Sequence, residues 1–247
     1  MLADPPHNLI HSRFCDALQQ AVHEASVSDI RALLVRAEGP DFSHGGDILD
    51  FIDKDFNEWR TFISEMHRAY RGIEALQIPT IAAVRGACFG GAFELALACD
   101  FIVTAEDATF RNIEASVGSA PVAGGVQRLA ERAGRAVAAR YTMLSEPMSG
   151  ATAGQLGVAA FVVSDAEVEA TAASLATRLS TGPTRSYAAI RALLKAWGGG
   201  GVPAADAVLL DLTMVLHGTE DARKGRSARV EALKRGAEPE PVVFNGR

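Results

Sequence analysis

A single carboxylate stands in an otherwise apolar stretch, since Glu94 is the only charged residue between Gly86 and Cys99. A helix of this composition is usually buried all round, so the carboxylate must find a partner or change its protonation. Gly91 lies one helical turn earlier, at the helix N-terminus, where backbone N–H groups lack acceptors. An N–H beside such a carboxylate suits chemistry on a carbonyl compound, because the N–H stabilises an oxyanion and the carboxylate moves a proton. The alternative is that Glu94 pairs with an arginine in the core.

A second glycine-rich turn, 42–47, follows an apolar run that is typical of a buried strand. A tight turn here could present another backbone N–H, and two donors converging on one oxygen would form an oxyanion hole. His44 in this turn is a candidate base, although a histidine in a loop is more often a plain surface residue.

A third segment, 110–125, places Glu114 in a predicted loop between a strand and a helix. A loop glutamate is usually solvated, so Glu114 gains interest only together with the other two segments. The segment ends on Gly124-Gly125, which has neither the Lys-Ser/Thr of a P-loop nor the spacing of a dinucleotide fingerprint. It therefore resembles a phosphate cradle only loosely.

Alternating strand-like and helical patterns must position these three segments. Strands are predicted at 32–35, 80–84, 100–104, 108–110 and 158–163, and helices at 12–25, 56–76, 91–98, from 126, 135–144 and 151–156. Beyond residue 165 the pattern is entirely helical, over 166–180, 184–196, 203–217 and 220–235, with Gly198–Gly201 as a flexible link. Strands that alternate with helices indicate an α/β layer arrangement, and a helical last third is typical of a cap or an oligomerisation element.

Composition excludes several classes of protein. With 24 Lys+Arg against 30 Asp+Glu, the net charge of −6 makes a nucleic-acid binder unlikely. The three cysteines form no CxxC pair, so we expect neither a disulfide framework nor a metal site. No apolar run of membrane length is found, and the N-terminus lacks the pattern of a signal peptide. We therefore expect a soluble cytoplasmic protein.

Taken together, these segments resemble the crotonase family, the enoyl-CoA hydratase/isomerase superfamily. Residues 78–100 are similar to its central signature, 42–47 to its first oxyanion loop, and 121–129 to its Pro-Gly-x-Gly-Gly-x-Gln-Arg-Leu run. The entry loop at 5–9 and the helix opening at 219–225 extend the resemblance over nearly the whole chain. It implies an α/β fold, a crotonase-like spiral of ββα units, with a catalytic core over 1–180 and a helical trimerisation region over 181–247.

The resemblance also implies a site and a substrate. A coenzyme A thioester would bind with its carbonyl oxygen between the backbone N–H groups of Gly46 and Gly91, and coenzyme A, as part of the substrate, would be the only cofactor-like group. Glu94 and Glu114 match the two glutamates that activate water in hydratases of the family. We assign water activation to Glu94 and proton transfer at C2 to Glu114, with the reversed or shared assignment left open.

Further substrate contacts are expected at His44, Asp47, Ile48, Phe89 and Val122, where Phe89 would narrow the acyl pocket and Val122 replaces the first glycine of Pro-Gly-x-Gly-Gly. The implied partners are an acyl-CoA and further copies of the chain, as a homotrimer or a dimer of trimers.

Three functions follow from these assignments. The first is an enoyl-CoA hydratase that adds water to a trans-2-enoyl thioester, because family isomerases generally keep only the carboxylate at the position of Glu114. The second is an isomerase or another enolate reaction on the same scaffold. The third is a catalytically silent acyl-CoA-binding protein, which the departures at Val122 and at Leu49 favour, since a lysine near the coenzyme A phosphates is common at the position of Leu49.

Overall fold

The computed structural model describes residues 1–246 and consists of two compact units. The first unit comprises 1–28, 34–76 and 80–174, and the second comprises 29–33, 77–79 and the chain from Leu175 onward. The second unit is therefore not one continuous stretch of the sequence, because it includes two short segments from early in the chain. The predicted division between residues 180 and 181 stays a prediction.

Seven short strands form two sheets. The strands are β1 (Leu33–Val35), β2 (Thr80–Val84), β3 (Ala87–Phe89), β4 (Phe101–Ala105), β5 (Thr109–Arg111), β6 (Met148–Ser149) and β7 (Phe161–Val163). One sheet has the order β1-β2-β4-β7, with β2, β4 and β7 parallel, and the other has the order β3-β5-β6. The predicted α/β arrangement is therefore confirmed.

Ten helices alternate with and follow the strands along residues 1–246. They are α1 (Ser12–Val27), α2 (Ile48–Phe51), α3 (Phe56–Ala75), α4 (Gly91–Leu97), α5 (Gly125–Ala133), α6 (Arg135–Met143), α7 (Gly150–Gln155), α8 (Val168–Ser180), α9 (Thr184–His217) and α10 (Glu220–Lys234). Short 3-10 turns add Glu114–Val117 and Asp165–Glu167. The order β2-β3-α4 and then β4-β5-α5 repeats a strand–strand–helix unit, as predicted.

The two sheets bring the chemical segments together. Strand β2 is buried at every residue, because it lies between β1 and β4 in the larger sheet. In the smaller sheet β3 and β5 run parallel, with Phe89 opposite Arg111. The segments that follow these two strands, one beginning at Gly90 and the other leading to Glu114, therefore emerge side by side.

The second unit is dominated by α9, which merges the two helices predicted at 184–196 and 203–217. Only Gly200 (φ −160°, ψ 21°) and Gly201 (φ 67°, ψ −163°) have non-helical dihedral angles, so the predicted flexible link contracts to a kink at these two residues. As a whole, α9 is long and apolar enough by composition to cross a membrane, and none of its most apolar stretch is buried. The prediction that no stretch reaches membrane length was therefore wrong for α9. The helix reaches that length because its two apolar halves, on either side of the kink, are counted together.

Hydrogen bonds fix the C-terminal tail, which was predicted to be extended. The Arg31 guanidinium donates to Thr184 Oγ1 at 2.9 Å, to the Phe244 carbonyl at 2.8 Å, and to the Gly182 carbonyl. The Asp221 carboxylate accepts from the backbone N–H groups of residues 245 and 246, both at 2.8 Å. The tail has no regular secondary structure, and these contacts hold it within the second unit.

Asn8 fastens the entry loop of the first unit. Its side-chain amide donates to the carbonyl oxygens of Glu38 and Asp41 at 2.9 and 3.0 Å and accepts from Asp4 N at 2.9 Å. The residue is buried and has φ 48°, a left-handed conformation that asparagine tolerates better than most residues. Because Asp41 directly precedes the turn at 42–47, Asn8 also supports that turn.

We predict that Asn8→Ala lowers the free energy of unfolding by about 2–3 kcal/mol, since three hydrogen bonds made by a buried side chain are lost. Urea denaturation followed by circular dichroism measures the change. Asn57→Ala is the matched control, because Asn57 is exposed and its hydrogen bonds to Asp55 and Thr61 use its backbone N–H and carbonyl. Equal stability of Asn8→Ala and the wild type would contradict the role assigned to Asn8.

Candidate active site

A cavity of about 310 Å³ in the first unit contains both predicted carboxylates and both predicted oxyanion glycines. Its walls are otherwise almost entirely apolar. The lining residues are Gly46, Ile48, Phe51, Lys54, Trp59, Phe62, Met66, Gly90, Gly91, Glu94, Ile113, Glu114, Val117, Ser119, Ala120 and Val122. Six residues singled out from the sequence, Gly46, Ile48, Gly91, Glu94, Glu114 and Val122, therefore share one space.

The turn that carries Gly46 is held on both sides. Ser43 O accepts from Phe89 N at 3.0 Å, which ties the turn to β3, and Ile10 N donates to Gly45 O at 2.8 Å. Gly45 has φ 88°, and a Cβ there would lie 2.6 Å from the Phe89 carbonyl oxygen, so only glycine permits this close approach. The N–H of Gly91 opens helix α4 and has no acceptor within the helix.

Glu94 is completely buried and is held by two backbone donors. Its Oε1 accepts from Ala123 N at 2.8 Å and from Gly125 N at 2.7 Å. Its Oε2 is buried and accepts no hydrogen bond from the described residues. The pKa of Glu94 is raised to about 7, because burial and the charge of Glu114 raise it more than the two backbone donors and the charge of Arg128 lower it. The carboxylate thus keeps one oxygen for a reactant and titrates near neutral pH.

The alternative that Glu94 pairs with a core arginine is wrong for the described part of the chain. Arg128, the arginine beside it, forms a two-pronged ion pair with Glu74, with Nε and Nη2 at 2.6 and 2.7 Å from the two carboxylate oxygens. Arg128 Nη1 also donates to Ala123 O at 2.6 Å. The ion pair therefore fixes the loop whose backbone N–H groups bind Glu94.

Glycine at position 124 is required by the same ion pair. Gly124 has φ 104°, and a Cβ there would lie 1.9 Å from Arg128 Nη1. The Gly124-Gly125 pair thus serves to admit the guanidinium and to present an N–H to Glu94, rather than to cradle a phosphate.

Glu114 begins a 3-10 turn, Glu114–Val117, where a loop was predicted. Its carboxylate lies beside the start of α4, because a Cβ on Gly90 would be 3.2 Å from Glu114 Oε1. Its Oε2 is buried and accepts no hydrogen bond from the described residues. Burial raises the pKa of Glu114, against the lowering effects of its own backbone N–H and of the Asn112 amide. A second carboxylate is therefore available at the cavity, next to the proposed oxyanion donor Gly91.

The other predicted substrate contacts are divided between the cavity and its surroundings. Ile48 and Val122 line the cavity, whereas His44, Asp47 and Phe89 are not among the described residues that line it. His44 Nε2 lies 3.0 Å from Asp41 Oδ2, and its ring packs against the rings of His7 and Phe89. Asp47 caps α2 by accepting from Leu49 N at 3.0 Å.

Ten lining residues were not predicted from the sequence, and five of them come from α2, α3 and the link between these two helices: Phe51, Lys54, Trp59, Phe62 and Met66. Phe62 and Met66 follow the helical spacing of α3, which in a sequence indicates a core face as readily as a pocket. Phe51 belongs to the four-residue helix α2, which is too short to show a period. The available signal in the sequence was the presence of Phe51, Trp59 and Phe62 shortly after the glycine-rich turn at 42–47.

Comparison with known proteins supports the same family throughout. The family model described as enoyl-CoA hydratase/isomerase matches residues 1–236. A probable enoyl-CoA hydratase of Bacillus subtilis (strain 168) is 33% identical over 194 residues, which is 77% of this chain and 75% of that protein. A carnitinyl-CoA dehydratase of Salmonella heidelberg (strain SL476) is 39% identical over 161 residues, 63% of this chain and 61% of the relative.

The fold agrees with solved structures as well. The crystal structure of a putative enoyl-CoA hydratase from Streptomyces coelicolor A3(2) superposes with a TM-score of 0.90 at 26% identity, covering 100% of this chain and 90% of that one. With its mixed α/β core, parallel sheet and C-terminal helices, the chain belongs to the enoyl-CoA hydratase/isomerase family, the crotonase superfamily, and has its fold.

Proposed function

We propose that the chain is an enoyl-CoA hydratase that adds water to a trans-2-enoyl-CoA thioester. The observation that carries this proposal is a pair of carboxylates at the same apolar cavity, Glu94 buried and Glu114 half-buried, each with one buried oxygen that accepts no hydrogen bond from the described residues. The backbone N–H groups of Gly46 and Gly91 are available for the thioester oxygen. Such donors matter greatly, since removing one from a related oxyanion hole costs about 3 kcal/mol of transition-state stabilisation.

In the proposed reaction, the thioester oxygen accepts from Gly46 N and Gly91 N. Glu94 takes a proton from water while the hydroxide adds at C3, and the electron pair of the C2=C3 bond moves onto the thioester as an enolate. Protonated Glu114 then gives its proton to C2. Transfer of a proton from Glu94 to Glu114 through solvent restores the starting state, and the reverse sequence removes water from a 3-hydroxyacyl thioester.

The environments of the two carboxylates support separate roles for them. The pKa of Glu94 is about 7, and the charge of Glu114 is one of the causes that raise it. Ionising one carboxylate therefore disfavours ionising the other. The pair therefore shares one proton near neutral pH, and the reactive form is the one in which Glu94 is ionised as the base and Glu114 is protonated as the acid. An isomerase that moves one proton would need only one of them.

The replacement of a glycine by Val122 could strain the backbone. A valine in place of the first glycine of Pro-Gly-x-Gly-Gly would be strained if that position required a positive φ. The non-glycine residues with positive φ among those described are Asn8 and Ser145, and Val122 is not one of them. Val122 therefore occupies the position without backbone strain.

The proposed mechanism predicts that both carboxylates are needed for turnover of crotonyl-CoA. Glu94→Gln and Glu114→Gln should each lower kcat for hydration by about 10²- to 10⁴-fold, because each removes a proton-transfer group. Loss of the absorbance of the conjugated thioester measures the rate. Glu106→Gln is the control, since Glu106 is exposed and does not line the cavity. Near-wild-type turnover of both active-site variants would refute the mechanism, and loss of 3-enoyl isomerisation in Glu114→Gln alone would favour the isomerase.

The raised pKa of Glu94 makes the stability of the folded chain depend on pH. The pKa of Glu94 rises from 4.5 to about 7 on folding, so the folded chain holds this proton more tightly, and stability falls as pH rises across this window. Glu94→Gln removes that cost and can still accept from the two backbone donors. We therefore expect the variant to be more stable than the wild type at pH 8, by about 3 kcal/mol at most.

Thermal denaturation of both proteins between pH 4.5 and pH 8 tests this expectation. The difference in stability should be largest at pH 8 and should shrink as the pH falls towards 4.5, where Glu94 is protonated in the folded state and half protonated in the unfolded state. A wild type that is the more stable of the two at pH 8 would show that Glu94 is not held against an ionisation cost.

We further propose that α9 packs against other copies of the chain in a trimer or a dimer of trimers. Large apolar side chains of α9 are 60–70% exposed, among them Leu194, Leu210, Met214 and Val215. Such a surface is rarely left open to water in a soluble chain. Light scattering of the purified protein should give the mass of three or six chains, and a monomer would contradict the proposal.

A further inference from the structure

Three aromatic rings form one continuous wall of the active-site cavity. This aromatic wall consists of Phe51, Trp59 and Phe62. The ring centroids lie 4.9 Å apart for Phe51 and Trp59, 5.8 Å for Phe51 and Phe62, and 5.7 Å for Trp59 and Phe62. Because each ring packs against the other two, the wall keeps its shape without a ligand.

The aromatic wall begins at the proposed oxyanion hole. A Cβ on Gly46 would lie 3.0 Å from Phe51 Cε1 and 3.2 Å from Phe51 Cζ, so the Phe51 ring rests on the glycine whose N–H would bind the thioester oxygen. A group attached a few bonds from the thioester carbonyl therefore meets the wall. In an enoyl thioester, that group is the substituent on C3.

The size of the cavity favours a bulky substituent. At about 310 Å³, the cavity holds roughly ten groups of the size of a water molecule, each of which takes about 30 Å³. A four-carbon acyl group would leave much of this apolar space unfilled. An enoyl thioester with a six-membered ring on C3 has nine acyl carbons and fills it.

Lys54 opposes a positively charged acyl group. Its Nζ lies 6.0 Å from the centroid of the Phe62 ring, at the distance at which a cation is attracted to a ring face. The same Nζ donates to the Asp50 carbonyl at 2.5 Å and lies 3.6 Å from Asp50 Oδ2, so it already has negative partners. A second cation at the wall would be repelled, and a carboxylate would have to compete with Asp50.

Resting on the proposed function, we propose that the substrate is an uncharged 3-aryl-2-enoyl thioester, of which cinnamoyl-CoA is the simplest. Its ring would stack on or meet edgewise the rings of the aromatic wall, an arrangement that aromatic pairs prefer and that a straight alkyl chain cannot make. The conjugated thioester would place C2 and C3 between Gly46 and the two carboxylates.

Binding of saturated analogues, which cannot react, tests the substrate class independently of turnover. We expect calorimetry to give a Kd for 3-phenylpropanoyl-CoA at least fivefold below those of 3-cyclohexylpropanoyl-CoA and octanoyl-CoA. The cyclohexyl compound matches the phenyl compound in shape but lacks its π system. Equal or tighter binding of either control would overturn the proposal.

Variants of the wall connect this preference to the proposed residues. Trp59→Leu should reduce the preference for phenyl over cyclohexyl to less than twofold, and Phe56→Leu should leave it unchanged, because Phe56 is 77% exposed and does not line the cavity. An unchanged preference in Trp59→Leu would overturn the assignment of the wall. Binding of octanoyl-CoA by Trp59→Leu shows that the variant is folded.

Turnover separates this proposal from the proposed function. In the dehydration direction, each 3-hydroxyacyl thioester loses its C3 hydroxyl and a C2 proton as water. We expect kcat/KM for 3-hydroxy-3-phenylpropanoyl-CoA to exceed that for 3-hydroxyoctanoyl-CoA at least tenfold, and that for 3-hydroxy-4-(trimethylammonio)butanoyl-CoA at least a hundredfold. Dehydration without this order would overturn the substrate class alone, whereas phenyl-selective binding without any dehydration would overturn the hydratase alone.

Discussion

The site depends on one buried interaction, the binding of a glutamate oxygen by two backbone N–H groups. Glu94 lies in an apolar helix, where a carboxylate without partners would be strongly disfavoured. Ala123 N and Gly125 N supply donors to one oxygen and leave the other unpartnered by protein. Two neutral donors compensate burial only in part, so the pKa of Glu94 stays raised at about 7. An arginine paired with Glu94 would have satisfied the charge fully and removed its capacity to act as a base near neutral pH.

The raised pKa of Glu94 depends on Arg128 forming its ion pair with Glu74 and not with Glu94. Arg128 is 7% exposed, and its two-pronged pair with Glu74 takes up the directions in which a guanidinium binds a carboxylate best. Its third nitrogen, Nη1, donates to Ala123 O, so one side chain fixes the loop while its charge lowers the pKa of Glu94 only in part. The left-handed glycine at 124 is the local consequence, because any side chain there would collide with the guanidinium.

The sequence predicted the elements with strong local patterns and the residues within them. Strand β2 was predicted with its observed bounds, because five consecutive buried residues between two neighbouring strands form an unambiguous apolar run. Glu94 stood out for the same reason, as one charge in an apolar helix. By contrast, α2 has four residues and no detectable period, and the backbone donors to Glu94 carry no side-chain signal at all. The aromatic wall was missed because its members come from two helices, and only the folded chain shows that they share a surface.

The separation of chemistry from specificity follows from the same arrangement. The proposed oxyanion donors are backbone groups, and Glu94 is held by backbone groups of the loop that the Arg128–Glu74 pair fixes. The aromatic wall consists of side chains alone, on α2 and α3. Because Phe51 nevertheless rests on Gly46, a change in the wall near that glycine alters the turn, whereas a change at Trp59 acts farther along the acyl group. Substrate choice can therefore change through substitutions at Trp59, while the carboxylates and the oxyanion hole stay in place.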